Sequence, residues 1–320
     1  MFRKKIRLEY DNKYNSRVDD KHLLKYYQPD EFKDINHKPI AFESNGNILR
    51  GNLFFEKNKD YNNIIIFVHG AGAGYLAYMK EIYTLVKGGY QVLSYDTEAT
   101  FSSEGENVRG FSQPLANILD AINYVQSEPK LKDLDIYLIG HSWGGFTVLN
   151  AINYKIDKIK KVVALAPLIS AKEAFKMNVK GLKRVVAIPE LMKYEEEKFG
   201  NIANFNAFDS LNSDVDILVV ASEDDPVVST KNNFMKLKEA NKKENHQFLL
   251  VNGRLHNPNY TKDAANYLAF KLAEFQKLIK EEKLVSYEEM KKYCDSIDYE
   301  RATQQDKDVF SKIFKFLGGK

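Results

Sequence analysis

One short run of residues could hold a reactive hydroxyl at the tip of a tight turn. Residues 140–145 read Gly-His-Ser-Trp-Gly-Gly and follow an apolar burst at 136–139 that is typical of a buried strand. A helix-like stretch comes next, so Ser142 stands between a strand and a helix. Glycines two positions on either side of the serine remove side chains that would collide across such a turn. This context predicts a nucleophilic serine, with the backbone N–H of Trp143 available at the helix start to bind an oxyanion.

A serine hydroxyl needs a base to become a nucleophile, and the sequence offers six histidines. His256 is the candidate, because it alone follows Ser142 and lies beyond a strand end, in the loop 252–258. His69 ends a strand beside a glycine loop and is expected to hold that loop. His141 adjoins the serine and is expected to be a packing residue. The others occupy polar or strand-entry positions and are expected to be solvated or structural: His22, His37 and His246.

The base in turn needs a carboxylate that orients it and stabilises its cation. Residues 222–228 read Ser-Glu-Asp-Asp-Pro-Val-Val and follow the apolar run 217–221, between the serine and the histidine in chain order. Three consecutive carboxylates are typical of a solvated loop. A strand end at this point of the chain is nevertheless where the order Ser, Asp, His requires the acid. The sequence therefore places the acid in this loop, and Val227 and Val228 are expected to anchor the loop in the core.

A second glycine loop follows the apolar run 64–68, five residues without alternation that are typical of a parallel strand buried on both faces. Residues 69–74 read His-Gly-Ala-Gly-Ala-Gly, and the N–H of Ala71 is the candidate for a second oxyanion donor. A phosphate-cradling loop is the alternative. Its glycines are not spaced Gly-x-Gly-x-x-Gly and no Gly-Lys-Ser/Thr follows, which argues against that alternative.

The composition is that of a globular protein with a sizeable core, with 320 residues of which 44% are hydrophobic. The net charge of +3 and the lack of a basic stripe predict no nucleic-acid surface. A single cysteine, Cys294, excludes an intrachain disulfide. The first residues are charged without an apolar run behind them, and no stretch approaches the length of a membrane span. We therefore expect a cytoplasmic protein.

Strand-like and helix-like stretches alternate over residues 38–284, which predicts an α/β fold with a doubly wound, mostly parallel sheet. Asn45-Gly46 lies between the first two strand-like runs and predicts a hairpin. The alternation breaks at 168–213, where two helix-like pieces, near 171–179 and 189–199, occupy a connection that needs far fewer residues. We interpret this segment as a helical lid. Residues 1–37 form a polar N-terminal extension and residues 285–320 a charged, helical C-terminal extension. Ligands bind at the carboxyl ends of strands in such sheets, which is where Ser142 lies.

Four segments resemble those of the α/β-hydrolase superfamily, over roughly residues 38–280. GHSWGG and HGAGAG match closely, SEDDPVV is similar to the acid-loop pattern Gly-x-x-Asp-x-x-Val, and LHNP is similar to Gly-His-Asn-Pro. The resemblance is to bacterial esterases, lysophospholipase-like enzymes and serine aminopeptidase-like hydrolases, and it implies an eight-stranded sheet. It places the acid at Asp225, with Ser222 and Leu255 where the family has glycine. Residues 96–105 depart further, because they lack the Arg and two glycines of the pattern Asp-x-Arg-Gly-x-Gly-x-Ser-x-Gly.

Motifs and resemblance together imply a serine hydrolase that uses no cofactor and no metal. Ser142 is expected to attack a carbonyl, His256 to act as the base and Asp225 to orient it, while the N–H groups of Ala71 and Trp143 bind the oxyanion. The expected partner is a small-molecule ester or acyl substrate, a carboxylic ester first. Peptide, amide or thioester cleavage and acyl transfer are alternatives. A non-catalytic binding protein on this fold is the alternative from another class, and the intact set of catalytic residue types argues against it.

Overall fold

The computed structural model describes residues 2–19, 24–179 and 181–319, and these residues form one eight-stranded sheet. The strands are β1 (Asn36–Ser44), β2 (Asn47–Phe55), β3 (Asn63–Val68), β4 (Gln91–Tyr95), β5 (Asp135–His141), β6 (Ile159–Leu165), β7 (Asp216–Ser222) and β8 (His246–Val251). Their order across the sheet is β1-β2-β4-β3-β5-β6-β7-β8. Strand β2 pairs antiparallel with β1 and β4, and the other pairings are parallel. The predicted mostly parallel, eight-stranded sheet is confirmed.

Helices cover both faces of this sheet. They are α1 (Phe2–Tyr14), α2 (Met79–Lys87), α3 (Gln113–Ser127), α4 (Trp143–Ala151), α5 (Ala171–Asn178), α6 (Arg184–Phe199), α7 (Ala207–Ser210), α8 (Phe234–Ala240), α9 (Lys262–Lys280), α10 (Tyr287–Asp295), α11 (Tyr299–Ala302) and α12 (Lys307–Leu317). Helices α3, α4 and α8 contribute to the hydrophobic cluster on one face, and α2 and α12 to the cluster on the other. The sheet is therefore doubly wound.

Strand β3 shows why its apolar run does not alternate with polar residues. Ile64 and Ile66 belong to the cluster on one face of the sheet, whereas Ile65 and Phe67 belong to the cluster on the other. All four side chains are fully buried. A strand covered by helices on both faces must be apolar at every position, as the sequence indicated.

A two-residue turn joins β1 to β2 and sets their register. Asn45 and Gly46 both have positive φ, 52° and 79°, and Ser44 pairs with Asn47 on the two strands. Two successive positive φ values define the type I′ turn that matches the twist of a hairpin, and Asn-Gly is its favoured sequence. The hairpin predicted from this dipeptide is confirmed.

Residues 168–213, called the insertion below, connect β6 to β7 and contain α5, α6 and α7. Helix α6 begins at Arg184, earlier than the start predicted near Pro189, which lies inside the helix. Val185 and Val186 in its first turn are exposed. No apolar periodicity marks this turn, and the proline, a residue common at helix starts, was misleading.

Helix α1 was not predicted, because residues 1–37 have a polar, mixed-charge sequence. Its buried side chains Ile6, Tyr10 and Tyr14 join a cluster with Phe175 and Leu191 of the insertion. The contact that stabilises this helix is thus made with a distant segment. His22 lies outside the described residues.

The C-terminal helices also carry buried side chains. Val309, Phe310 and Ile313 of α12 belong to the cluster on the α2 face of the sheet, and Cys294 of α10 is buried. The amphipathic pattern of α12 is hidden within a charged sequence. Across residues 2–19, 24–179 and 181–319, no helix has both the length and the apolar character needed to cross a membrane.

Candidate active site

Ser142 occupies a strained turn between β5 and α4. Its φ and ψ are 57° and −111°, a region that non-glycine residues adopt only where the surrounding structure enforces it. A Cβ added to Gly140 would lie 2.3 Å from the carbonyl oxygen of Gly144, and one added to Gly144 would lie 2.0 Å from that of Val68. The two glycines are therefore required for the tight turn, as their spacing predicted.

A line of hydrogen bonds runs from Ser142 through His256 to Asp225. His256 Nε2 lies 2.9 Å from Ser142 Oγ, and His256 Nδ1 lies 2.8 Å from Asp225 Oδ2. The carboxylate accepts a hydrogen bond from Nδ1–H, which leaves Nε2 without a proton and able to accept a hydrogen bond from the serine hydroxyl. The His256 side chain is 18% exposed and that of Asp225 2%. Residues from the ends of β5, β7 and β8 thus meet at one point.

Asp225 is held by the turn that it begins. Its Oδ1 accepts hydrogen bonds from the backbone N–H groups of Val227 at 2.7 Å and Val228 at 2.9 Å. We expected both valines to anchor this loop in the core, and that expectation is wrong for Val227, which is 52% exposed. Because both N–H groups bind the same carboxylate, the chain curls around it, and the buried Val228 alone serves as the anchor.

The neighbouring Asp224 ties the acid loop to the histidine loop instead. Its Oδ1 accepts hydrogen bonds from Ser222 Oγ at 2.5 Å and from the N–H of Gly253 at 3.0 Å. Burial opposes its ionisation, but these bonds and one from the N–H of Arg254 hold the pKa of Asp224 below its ordinary value. Asp224 therefore holds the acid loop against the histidine loop, and it binds the latter at Gly253, three residues before His256.

The two candidate oxyanion donors belong to elements that meet beside the serine. Trp143 is the first residue of α4, so its N–H has no partner within that helix. Ala71 is exposed in the loop that follows β3. A Cβ added to Gly70 would lie 3.3 Å from the carbonyl oxygen of His141, so this loop runs directly against the residue before the serine.

His69 holds the glycine loop, as expected. Its Nδ1 lies 2.8 Å from the carbonyl oxygen of Gly70, and its Nε2 accepts a hydrogen bond from the N–H of Thr97 at 3.0 Å. Burial lowers the pKa of His69, which favours the neutral form that these two bonds require. The remaining histidines bond elsewhere, His37 to Asn52 and Asp30, and His246 to Asn241.

His141 has a more specific environment than a packing residue. Its Nδ1 lies 3.0 Å from Tyr78 Oη, and its Nε2 lies 2.7 Å from the backbone oxygen of His256. Burial, aided by the nearby His256, lowers the pKa of His141 to about 3. Sequence reasoning missed Tyr78, because nothing in a helix-like stretch distinguishes one tyrosine that reaches a loop from another.

In the loop after β4, two non-glycine residues have the positive φ that glycine favours. Ala99 and Phe101 stand where the family pattern has glycine, and both have positive φ, 58° and 44°. Asp96 stabilises the loop by accepting hydrogen bonds from Ser102 Oγ at 2.6 Å and from the N–H of Tyr75 at 2.9 Å. Ala99 and Phe101 thus have the backbone conformation that glycine would adopt, and the side chain of Phe101 lies beside Gly74 of the glycine loop.

Comparisons with known proteins agree with this architecture. A family model described as serine aminopeptidase, S33, matches residues 59–203, less than half of the chain. The Pyrococcus furiosus esterase Pf2001 is 17% identical, with 81% of this chain and 96% of that chain covered and a TM-score of 0.56. Est1E from Butyrivibrio proteoclasticus, solved with ferulic acid bound, is 19% identical, with 73% of this chain and 99% of that chain covered and a TM-score of 0.56. No sequence among the curated proteins matches.

A fungal protein described as an α/β hydrolase, GrgF from Penicillium sp. sh18, has a similar fold at 16% identity. The match covers 81% of this chain and 99% of that chain, with a TM-score of 0.53. At such identities the likeness is one of fold, and it agrees with the strand order, the strained serine turn and the matched family model. The chain therefore has the α/β-hydrolase fold, and its residues 59–203 match a family of hydrolases described as serine aminopeptidases.

Proposed function

We propose that this chain is a serine hydrolase that cleaves carboxylic esters through an acyl-enzyme intermediate. The observation that carries the proposal is the hydrogen-bonded line from Ser142 Oγ to His256 Nε2, at 2.9 Å, and from His256 Nδ1 to Asp225 Oδ2, at 2.8 Å. A serine, an imidazole and a carboxylate in this sequence of contacts form the unit that activates a hydroxyl for acyl transfer.

In the first half of the reaction, His256 Nε2 takes the Ser142 proton as Oγ attacks the ester carbonyl carbon. The carbonyl oxygen becomes an oxyanion, and the N–H groups of Ala71 and Trp143 stabilise it. Asp225 stabilises the imidazolium without taking its proton. His256 then gives the proton to the departing alkoxide, and the acyl group remains bound to Ser142.

In the second half, water occupies the place of the departed alcohol. His256 takes a proton from this water, which attacks the acyl carbon, and the N–H groups of Ala71 and Trp143 again bind the oxyanion. Collapse of the second tetrahedral intermediate breaks the bond to Oγ, and His256 returns the proton to Ser142. The carboxylic acid leaves and the enzyme is restored.

The insertion is proposed to cover the acyl side of the site as a lid. Phe175 and Leu191 of the insertion belong to one hydrophobic cluster with Trp143, which directly follows the serine, and Val228, which anchors the acid loop. Phe111 links them, with ring centroids 5.8 Å from Trp143 and 6.0 Å from Phe175. A change in the insertion is therefore transmitted to the edge of the site.

Pf2001, a protein of similar fold, is described as an esterase, which supports the ester as substrate class. The matched family model, described as a serine aminopeptidase, favours removal of an N-terminal residue from a peptide as the second candidate. Both reactions use the same three residues and differ in the leaving group, an alcohol or an amine.

Side-by-side turnover assays distinguish the two candidates. The panel consists of p-nitrophenyl esters of two to twelve acyl carbons and aminoacyl p-nitroanilides, assayed with the wild type and Ser142→Ala. We expect ester turnover that Ser142→Ala abolishes, and little turnover of anilides. Faster cleavage of the anilides after correction for intrinsic reactivity would assign the peptide, and ester turnover that survives Ser142→Ala would overturn both candidates.

A further inference from the structure

We propose that Tyr78 and His141 are positioning residues that hold the oxyanion loop and the histidine loop in one fixed arrangement. The inference rests on the proposed function, since it concerns the same reaction centre. It assigns the glycine loop and the base a shared support, formed by a hydrogen-bonded chain from Gly70 through Tyr78 and His141 to His256, called the bridge below.

The bridge has three hydrogen bonds. The N–H of Gly70 donates to Tyr78 Oη at 3.0 Å. Tyr78 Oη lies 3.0 Å from His141 Nδ1, and His141 Nε2 lies 2.7 Å from the carbonyl oxygen of His256. The bridge therefore spans the loops that follow β3 and β8, and it passes through the residue before the nucleophile.

Chemistry fixes the direction of each bond. The carbonyl oxygen of His256 can only accept, so His141 Nε2 must carry a proton. A neutral imidazole then has Nδ1 as an acceptor, so the Tyr78 hydroxyl must donate to it. The N–H of Gly70 can only donate, and the Tyr78 oxygen has the lone pair to accept it. All three bonds form together only with this tautomer and this hydroxyl orientation.

The bridge keeps its protonation state throughout the catalytic cycle. His141 is buried, and its ring centroid lies 4.9 Å from that of His256. Burial and this neighbour hold the pKa of His141 near 3, and burial raises the pKa of Tyr78. When His256 becomes a cation, His141 therefore stays neutral and continues to donate to the same carbonyl oxygen.

Close packing leaves the bridge little room to move. A Cβ added to Gly70 would lie 2.6 Å from Tyr78 Oη and 3.5 Å from His141 Nδ1. The ring of Tyr78 also lies against that of the buried Phe67, with centroids 5.4 Å apart. The glycine is thus required for the contact, and the N–H next in sequence is that of Ala71, the proposed oxyanion donor.

The bridge is expected to act on the transition state more than on substrate binding. It fixes the residue that precedes one oxyanion donor, and it fixes the backbone of the base. A donor displaced by a fraction of an ångström stabilises an oxyanion less, whereas the ester in its ground state depends little on that position. Losing the bridge should therefore lower kcat and leave KM nearly unchanged.

The test uses Tyr78→Phe, which keeps the ring and removes the hydroxyl, with Tyr83→Phe as the matched control. Tyr83 lies in α2 and donates to Asp34 on the surface, at 3.0 Å. For Tyr78→Phe we expect kcat on the best ester to fall on the order of 10- to 100-fold, less than for loss of an oxyanion donor itself. KM should stay within about 3-fold. Affinity for an alkyl trifluoromethyl ketone, which mimics the tetrahedral intermediate, should fall in parallel with kcat, and Tyr83→Phe should match the wild type.

A double-mutant cycle with His141→Gln completes the test, and His141→Gln alone replaces the cycle if Tyr78→Phe fails to fold. The glutamine amide can still donate toward the His256 carbonyl oxygen, so the loss of kcat in His141→Gln should lie between none and the loss in Tyr78→Phe. The two changes break one chain, so their combined loss should be well below the product of the single losses. The bridge would be overturned if Tyr78→Phe left kcat and ketone affinity unchanged. The same result in His141→Gln would overturn it where Tyr78→Phe does not fold. It would also be overturned if the losses in the two single variants multiplied fully in the double variant. Turnover surviving in Ser142→Ala would instead overturn the proposed function, so the two failures are distinguishable.

Discussion

The edge of the sheet that carries Ser142 and the insertion above it are stabilised by different interactions. At the sheet edge, the contacts are hydrogen bonds among backbone groups, neutral side chains and two carboxylates, those of Asp225, whose side chain is buried, and of the exposed Asp224. The insertion is attached to α1 by the apolar side chains of Ile6, Tyr10 and Tyr14 and by ion pairs that lie mostly near the surface. Arg7 contacts Glu190 at 2.6 Å and Glu197 at 2.5 Å, and Lys198 contacts Asp11 at 2.7 Å.

One buried carboxylate of the insertion departs from this pattern. Glu195 accepts hydrogen bonds from the N–H of Phe111 at 2.7 Å and of Ser112 at 3.1 Å, at the start of α3, and it also contacts the hydroxyl of Tyr10. Burial raises the pKa of Glu195 to about 7. A single side chain thus joins the insertion, α1 and the core.

The sheet edge and the insertion should therefore respond differently to salt. Hydrogen bonds between neutral buried groups respond little to salt, whereas exposed ion pairs weaken as ionic strength rises. The geometry around Ser142 should therefore persist under conditions that loosen the insertion from α1. Variants of the sheet edge should change kcat, and variants of the insertion should change substrate preference or stability.

The largest effects are expected at the sheet edge itself. Ser142→Ala and His256→Ala should each lower kcat on the order of 10⁴-fold, since members of such a triad act as one unit. His141→Ala should lose much less, because His141 positions a backbone group and does not transfer the proton. Steady-state kinetics on the best ester rank the three variants, and a greater loss in His141→Ala than in His256→Ala would mean that the base is misassigned.

The two neighbouring aspartates of the acid loop should differ in how much they contribute to kcat. Asp225→Asn should lower kcat on the order of 10³- to 10⁴-fold, because the amide favours the wrong imidazole tautomer and cannot stabilise the cation. Asp224→Asn should lower it about 10-fold or less, since Asp224 closes loops without touching the imidazole. If kcat instead collapses in Asp224→Asn and survives in Asp225→Asn, the acid is Asp224.

Glu195 makes the attachment of the insertion dependent on pH. Its folded-state pKa of about 7 lies above the ordinary 4.5, so the folded protein holds the proton more tightly than the unfolded chain does. The free energy of unfolding should therefore fall as pH rises from about 4.5 to about 7, by up to about 3 kcal/mol in total from this group. Glu81, buried in α2 with a pKa also raised to about 7, adds a similar decline.

Urea unfolding at pH 4.5, 6 and 7.5 measures this dependence. Glu195→Gln and Glu81→Gln should each show a shallower decline than the wild type, with Glu81→Gln as the matched variant away from the insertion. A decline as steep in Glu195→Gln as in the wild type would show that Glu195 is ionised freely in the folded protein.

The smallest effect is expected from a conservative change in the insertion. Phe175 is buried, so Phe175→Ser would cost several kcal/mol of stability, and Phe175→Leu is the more informative change. It should shift the ratio of kcat/KM between long and short acyl chains about 4- to 15-fold, because each of one to two buried methylenes is worth about 0.8 kcal/mol. Phe208→Leu, at an exposed site of the same insertion, should leave this ratio unchanged. Identical chain-length profiles in the wild type and Phe175→Leu would count against the lid.

Local sequence patterns could predict those parts of the molecule that depend on neighbours in the chain. The Asn45–Gly46 hairpin and the glycines around Ser142 follow from backbone sterics, and the buried strand at 64–68 follows from its uninterrupted apolar run. The carboxyl ends of parallel strands then bring distant residues to one edge of the sheet. This is why His256 could be selected from six histidines.

Features that depend on contacts between distant segments could not be predicted. Helix α1 depends on apolar contacts with Phe175 and Leu191, and nothing in its own sequence specifies that partner. Tyr78 reaches His141 across 63 positions of sequence. Val227 was expected inside, because its apolar side chain does not reveal that the turn around Asp225 directs it to solvent.

Ser142 is proposed to be the nucleophile, and His256 is proposed to activate it. Incubation with a fluorophosphonate, followed by mass spectrometry of the peptide digest, tests this proposal most directly, because phosphonylation requires an activated serine and no knowledge of the substrate. We expect one phosphonyl group per chain, attached to Ser142, no labelling of Ser142→Ala, and strongly slowed labelling of His256→Ala. A label on a different residue, or equal labelling of the wild type and His256→Ala, would contradict this proposal.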